Sequence, residues 1–135
     1  MADIEEVLVA YLKTQSGLTA LVKNKIYPEE IPQKIDLPAV SYIKISDIKT
    51  HMLKEQNPLE NPYLQFTVYA ESKSSARGVL AQIKLALIDY VGTLSGIVIQ
   101  KIQMENEISS METGADGVQK VYTEDAEFQI FYERS

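Results

Sequence analysis

The sequence predicts an α+β domain: an antiparallel-rich sheet of about four strands, closing in a long C-terminal hairpin and packed against two helices on one face. Three observations predict it. An apolar stripe at helical spacing runs through residues 74–91, and two long stretches of period-two alternation end the chain. Between those two stretches stands a turn cluster, Gly114-Ala115-Asp116-Gly117.

The first helix opens at Asp3, a capping residue, with Glu6 three positions on as the reciprocal partner of a capping box. Ile4, Val7, Leu8, Tyr11 and Leu12 then share one helical face, and Ser16-Gly17 is expected to end it because glycine accepts a left-handed conformation. Leu18 to Val22 reads as a short second helical turn. Pro28, Pro32 and Pro38 make residues 25–38 an extended connector, since each proline fixes its own φ and pushes its predecessor out of the helical region. Ala39 to Ser46 forms a strand with apolar side chains on both faces, Val40 and Tyr42 against Ile43 and Ile45, which predicts a central or doubly covered place.

Residues 47–62 have no clean period and carry Pro58 and Pro62, so they read as a long loop, the kind that is functional or mobile in a compact domain. In the next strand Leu64, Phe66 and Val68 alternate with Gln65, Thr67 and Tyr69. Ser72 or Ser74 caps the main helix, whose stripe is Ala76, Val79, Leu80, Ile83, Leu87, Tyr90 and Val91, and Gly92 is expected to stop it. In the hairpin, Val98, Ile102, Met104 and Ile108 share a parity, as do Tyr122, Ala126, Phe128, Ile130 and Tyr132.

A chain of 135 residues fits a single domain, 1–135, able to bury about two-thirds of its unfolded surface. Without cysteine there are no disulfides or thiolate metal sites, which fits a reducing cytoplasm. A net charge of −6 repels phosphate backbones and argues against nucleic-acid binding. No secretory signal opens the chain, and its densest apolar run, Gly96-Ile97-Val98-Ile99, is far too short to span a membrane, so the protein is expected to stay in solution.

Chemistry is scarce. His51 is the only histidine, which removes histidine pairs and relays, and no serine sits in a nucleophile elbow. The carboxylates Glu105, Glu107, Glu112, Asp116, Glu124, Asp125 and Glu127 lack Ca²⁺-loop spacing and read as a solvated sheet face, with Glu105 and Glu107 pointing away from the apolar side. No glycine pattern cradles a phosphate. These absences predict no catalytic, cofactor-binding or metal residues, and a domain that works by binding other proteins. The candidate contact residues are His51, Met52 and Leu53 in the long loop, and Tyr63, Tyr69 and Phe131 on the outward parity of their strands. Glu112 and Asp116 join them at the hairpin tip.

Several local patterns resemble the tail-completion, or head-to-tail joining, proteins of siphophages and prophages. They are the opening Ile4-Glu5-Glu6-Val7-Leu8; Lys25-Ile26-Tyr27-Pro28; Ile31-Pro32-Gln33 followed by Leu37-Pro38-Ala39-Val40-Ser41-Tyr42; Phe66-Thr67-Val68-Tyr69-Ala70 leading into a helix; and the closing hairpin. The resemblance spans essentially the whole chain. It implies a non-enzymatic subunit between the head connector and the tail tube, assembled as a ring, typically six-fold, with DNA passing through unbound. It also implies assembly in the bacterial host cytoplasm and residence at the virion's head-tail interface, with no membrane and no cofactor. Two alternatives stay open: a tail terminator or minor tail protein of the same assembly, and a small-ligand-binding or enzymatic α+β domain with a pocket between helix 74–91 and the sheet.

Overall fold

A computed structural model describes residues 3–32, 34–46, 62–113 and 120–134. The elements run α1 (Ile4–Leu12), α2 (Ser16–Val22), β1 (Ile26–Pro28), β2 (Ala39–Ser46), β3 (Tyr63–Ala70), α3 (Lys73–Leu87), β4 (Gly92–Leu94), β5 (Ile97–Thr113) and β6 (Lys120–Arg134). The strands make one sheet in the order β1-β2-β3-β6-β5-β4, antiparallel throughout except for the β1–β2 pair. The α+β class and the long closing hairpin are as expected, but the described residues form a sheet of six strands and three helices. The two extra strands are three residues each, too short for alternation to show, and β1 lies inside the proline-rich connector.

One face of the sheet is sealed. On β3 every second residue (Leu64, Phe66, Val68, Ala70) is buried, and on β6 so are Ala126, Phe128, Ile130 and Tyr132. Against this surface α3 packs Ala76, Val79, Leu80, Ile83 and Leu87, while α1 contributes Ile4, Leu8 and Leu12. Fully burying one such aliphatic or aromatic side chain contributes roughly 1.5–3 kcal/mol. Phe66 and Phe128 meet edge-on at 5.9 Å and 74° in the middle of that layer.

Helix boundaries depart from the sequence reading in two places. The first helix ends at Leu12, because Thr14 and Gln15 turn back onto the carbonyls of Tyr11 and Leu12, and Ser16-Gly17 opens α2 instead of closing α1. The main helix is capped by Ser72, whose hydroxyl accepts from the Ser75 amide at 3.1 Å, and it ends at Leu87. Ile88 is already extended and Asp89 takes φ 64°, so Tyr90 and Val91 lie beyond the helix and Val91 is exposed.

Strand faces were also mis-set in part. Ile43 and Ile45 are exposed, so β2 is internal to the sheet but not covered on both sides. In β5 the pairing slips by one residue between Ile99 and Lys101, and again between Met104 and Asn106. Each such bulge inverts the faces of everything beyond it. Ile97 and Ile99 are therefore buried with Ile102, whereas Val98 and Ile108 fall on the other side. Glu107 turns toward the helices and pairs with Lys84 of α3 at 2.6 Å, contrary to the expectation that it points away with Glu105.

Candidate functional site

The face of the sheet opposite the helices is read from the strand registers. One row runs Ile43–Gln65–Glu127–Asn106, the next Ser41–Thr67–Asp125–Ile108, and the next Ala39–Tyr69–Thr123–Ser110. This surface is polar and hydrogen-bonded laterally: the Ser41 hydroxyl donates to the Tyr69 hydroxyl at 3.3 Å, and the Ser110 and Thr123 hydroxyls share a bond at 2.5 Å. Ser41, Thr123 and Gln129 are buried within it, as expected for small polar groups enclosed by neighbouring strands.

Four of the eight candidate contact residues can be placed here. Tyr63 sits opposite Gln129, one diagonal step from Phe131, and both aromatics are half-buried at one end of the face. Tyr69 and the exposed Glu112 lie toward the other end, about 20 Å from Tyr63 along the strand at the β rise. The structure thus places these four on one face but as two separate groups. His51, Met52, Leu53 and Asp116 lie outside the described residues.

Sequence reasoning missed three features. First, the sheet is open at its margins. β4 covers β5 only at Ile97–Ile99, so among the described residues Gln100 to Thr113 presents an outer edge with no strand beside it. At the other margin β1 covers β2 only at Val40–Tyr42, so among the described residues no strand lies beside Ile43 to Ser46, and Ile43 and Ile45 are exposed. Edges of this kind are templates for strand addition from another chain. The long closing strands signal in the sequence that edges are on offer, but an alternation pattern does not show which strand is marginal or how much of it a neighbour covers.

Second, a cleft of about 460 Å³ opens between the start of α1 and the β1–β2 margin, lined by Asp3, Glu5, Glu6, Glu29, Tyr42 and Lys44 among others. Burial, then Glu6, then Glu5 push the Tyr42 hydroxyl above its ordinary value. The same acidic residues suit the positive end of α1, and the Asp3 amide donates to the Glu6 carboxylate at 3.2 Å. Third, Glu124 faces the helices and is 2 % exposed. Among the described residues no group of three or more His, Cys, Asp or Glu side chains is arranged to hold a metal ion, and no helix is long and apolar enough to cross a membrane.

What the geometry defines is a domain with one face of its sheet closed on its own core and, among the described residues, no element covering the other face or the outer margins. Comparison with known proteins agrees. The chain belongs to the family described as tail completion protein gp17, whose pattern it matches over residues 6–132, so it is a phage-type virion structural protein. It shares its fold with a chain in the virion of a native gene transfer agent particle: TM-score 0.68 over 98% of this chain and 99% of that one, at 16% sequence identity. No curated protein matches the sequence significantly.

Proposed function

We propose that the protein is the subunit that joins the head connector to the tail tube, and that copies of it close into a ring. The observation that carries this reading is the open sheet at both margins. The uncovered parts of β2 and β5 lie on opposite sides of the same sheet, which is the arrangement a head-to-tail contact requires, and such contacts close when the rotation permits. Register places the two edges at similar height, since Ile43 lies in one row with Asn106 across four strands. Lys44 on one margin and Glu105 on the other are complementary in charge, and Ile43 answers the exposed Ile108 on the same face of the sheet.

In this reading Tyr63, Tyr69, Phe131 and Glu112 meet neighbouring virion proteins, together with the segment around His51 and the hairpin tip around Asp116. Asp125 and Glu127 on the helix-free face would give a lumen past which DNA slides without adhering. Subunits gather in the host cytoplasm and end at the head-tail interface. The apolar, fully buried contact of α3 with the sheet gives no support to a ligand pocket there.

The test is deletion of the gene from its source phage or prophage, followed by negative-stain electron microscopy of the induced lysate. DNA-filled heads beside separate finished tails are the expected result. Intact infectious particles would sink the joining role.

A further inference from the structure

Among the described residues Glu124 is the one charged side chain that is buried. It stands on β6 in the series that continues with Ala126, Phe128, Ile130 and Tyr132, all apolar or aromatic and buried. Its Oε1 is sealed from solvent and has no hydrogen-bond partner. A carboxylate oxygen in that condition is strongly unfavourable unless a cation or donor reaches it.

The same residue lies at the inner end of a pocket of about 200 Å³, lined by Lys73, Ser109, Ser110, Met111, Tyr122 and Glu124. Its position in the sheet makes it reachable from outside. Glu124 is directly opposite Ser109, and Ser109 belongs to the uncovered margin of β5. A side chain arriving from that margin crosses only the small serine to reach the carboxylate. Met111 opposite Tyr122 walls one side, and the Lys84–Glu107 ion pair stands one row away on the other. The Lys73 side chain lines the pocket, yet it forms no ion pair with Glu124.

We propose that this pocket receives a lysine or arginine side chain carried on an extended segment of a different virion protein, with Glu124 as its counter-ion. The proposal rests on the reading of the chain as a joining subunit. An aliphatic stem between Met111 and Tyr122, ending in a charge-assisted bond, is the fit that a long basic side chain makes. Strand addition along β5 supplies the backbone contacts that hold the segment beside Ser109. A different protein is favoured over a second copy because a net charge of −6 draws basic partners, and because the short uncovered end of β2 in a neighbouring copy would meet β5 near Asn106 and leave the stretch at Ser109 free.

Three variants of the full-length protein test it, each supplied to a phage lacking the gene. Glu124→Gln removes the charge without changing shape; its thermal midpoint should equal or exceed that of the wild type, while joined particles fall by about tenfold or more. Ser109→Trp blocks the entrance at an exposed strand position that tolerates an aromatic; it should fold with an unchanged midpoint and lose joining to the same degree. Replacing Met111 with the photo-crosslinker p-benzoylphenylalanine and irradiating assembled particles should give a conjugate that mass spectrometry maps to a Lys- or Arg-bearing segment of another particle protein.

Wild-type joining by both Glu124→Gln and Ser109→Trp would overturn the proposal, and so would a conjugate confined to a second copy of this chain. A lowered midpoint shared by Glu124→Gln and Lys73→Gln, without further loss in the double variant, would make Lys73 the internal counter-ion and overturn it as well. Failure of the joining role shows differently: there the gene deletion itself leaves infectious particles.

Discussion

Gly78 lies inside the 15-residue helix α3, on its exposed side, and a Cβ added there meets nothing within 4 Å. Glycine within a helix costs roughly 0.5–1 kcal/mol relative to alanine, because it loses more backbone freedom on folding. With no neighbour to clash and no contact to gain, that entropic difference is the whole expected effect of Gly78→Ala. For a chain of this length it corresponds to a thermal midpoint raised by about 2–4 °C. In urea the transition should move upward by about 0.5 M with an unchanged slope. Circular dichroism and tyrosine fluorescence should report the same midpoint. An unchanged or lowered midpoint would refute the reasoning, since it would mean that residue 78 is not in a regular, open stretch of helix. The contrast is Gly17→Ala, where the new Cβ would fall 2.3 Å from the Gln82 Oε1. That clash involves the end of a flexible side chain, so its helix gain should be reduced but not abolished.

Other substitutions test the layers beneath. Ile83→Ala, at a fully buried position under α3, should lose about 2–5 kcal/mol in urea denaturation, the usual range for a cavity of that size. A cycle of Phe66→Leu and Phe128→Leu should show about 0.5–1.5 kcal/mol of coupling from the edge-on pair, and strict additivity would remove it. Lys84→Ala should cost only about 0.2–1 kcal/mol and less at high salt, because both members of its pair with Glu107 are about one-third exposed (32% and 33%). Tyr42 has its hydroxyl raised above 10.0 by burial, then by Glu6 and Glu5, so the folded state favours the neutral phenol. That contribution is complete below pH 10.0 and is lost as pH climbs through the raised folded value. Tyr11 is raised as well, by burial and by Tyr90, so in an absorbance titration at about 295 nm the late-ionising tyrosines of the wild type should number one fewer in Tyr42→Phe.

Much of this architecture was legible because periodicity reports burial directly. The α3 stripe and the alternation of β3 located a core that the structure places at the same residues, from Ala76 to Leu87 and from Leu64 to Val68. The hairpin was legible from its length and its glycine-rich turn cluster. What failed has a common physical origin. Tyr90 and Val91 continue the helical stripe in sequence, but Asp89 at φ 64° breaks the backbone before they are reached. Bulges at Gln100 and Glu105 insert one residue each, so a parity counted from Val98 is wrong at Ile102 and Met104 and changes again beyond Met104. No local composition announced either bulge. Tyr63, Tyr69 and Phe131 were correctly assigned to the face away from the helices, because β3 and the end of β6 keep their alternation unbroken. Glu124 was passed over as part of a solvated carboxylate series, when its own parity set it among Tyr122, Ala126 and Phe128.

The bulges also explain how one strand serves two purposes. Up to Met104, β5 follows the core: Ile97, Ile99 and Ile102 are buried and Met104 packs against the same cluster. Beyond Glu105 the helix-facing positions become Glu107, Ser109 and Met111, none of which is buried, and α3 meets this stretch through charged side chains, Lys84 at Glu107 and Lys73 in the pocket. A long edge with apolar side chains on one face would invite indiscriminate strand pairing; polar and charged residues on a bulged edge restrict it. The inner half of β5 therefore supports folding and the outer half is left to choose partners. Substitutions should divide accordingly, with those at Ile99 or Ile102 lowering stability and those at Ser109 or Glu112 sparing it. A destabilising effect at Ser109 as large as that at Ile102 would show the outer half to be part of the core after all.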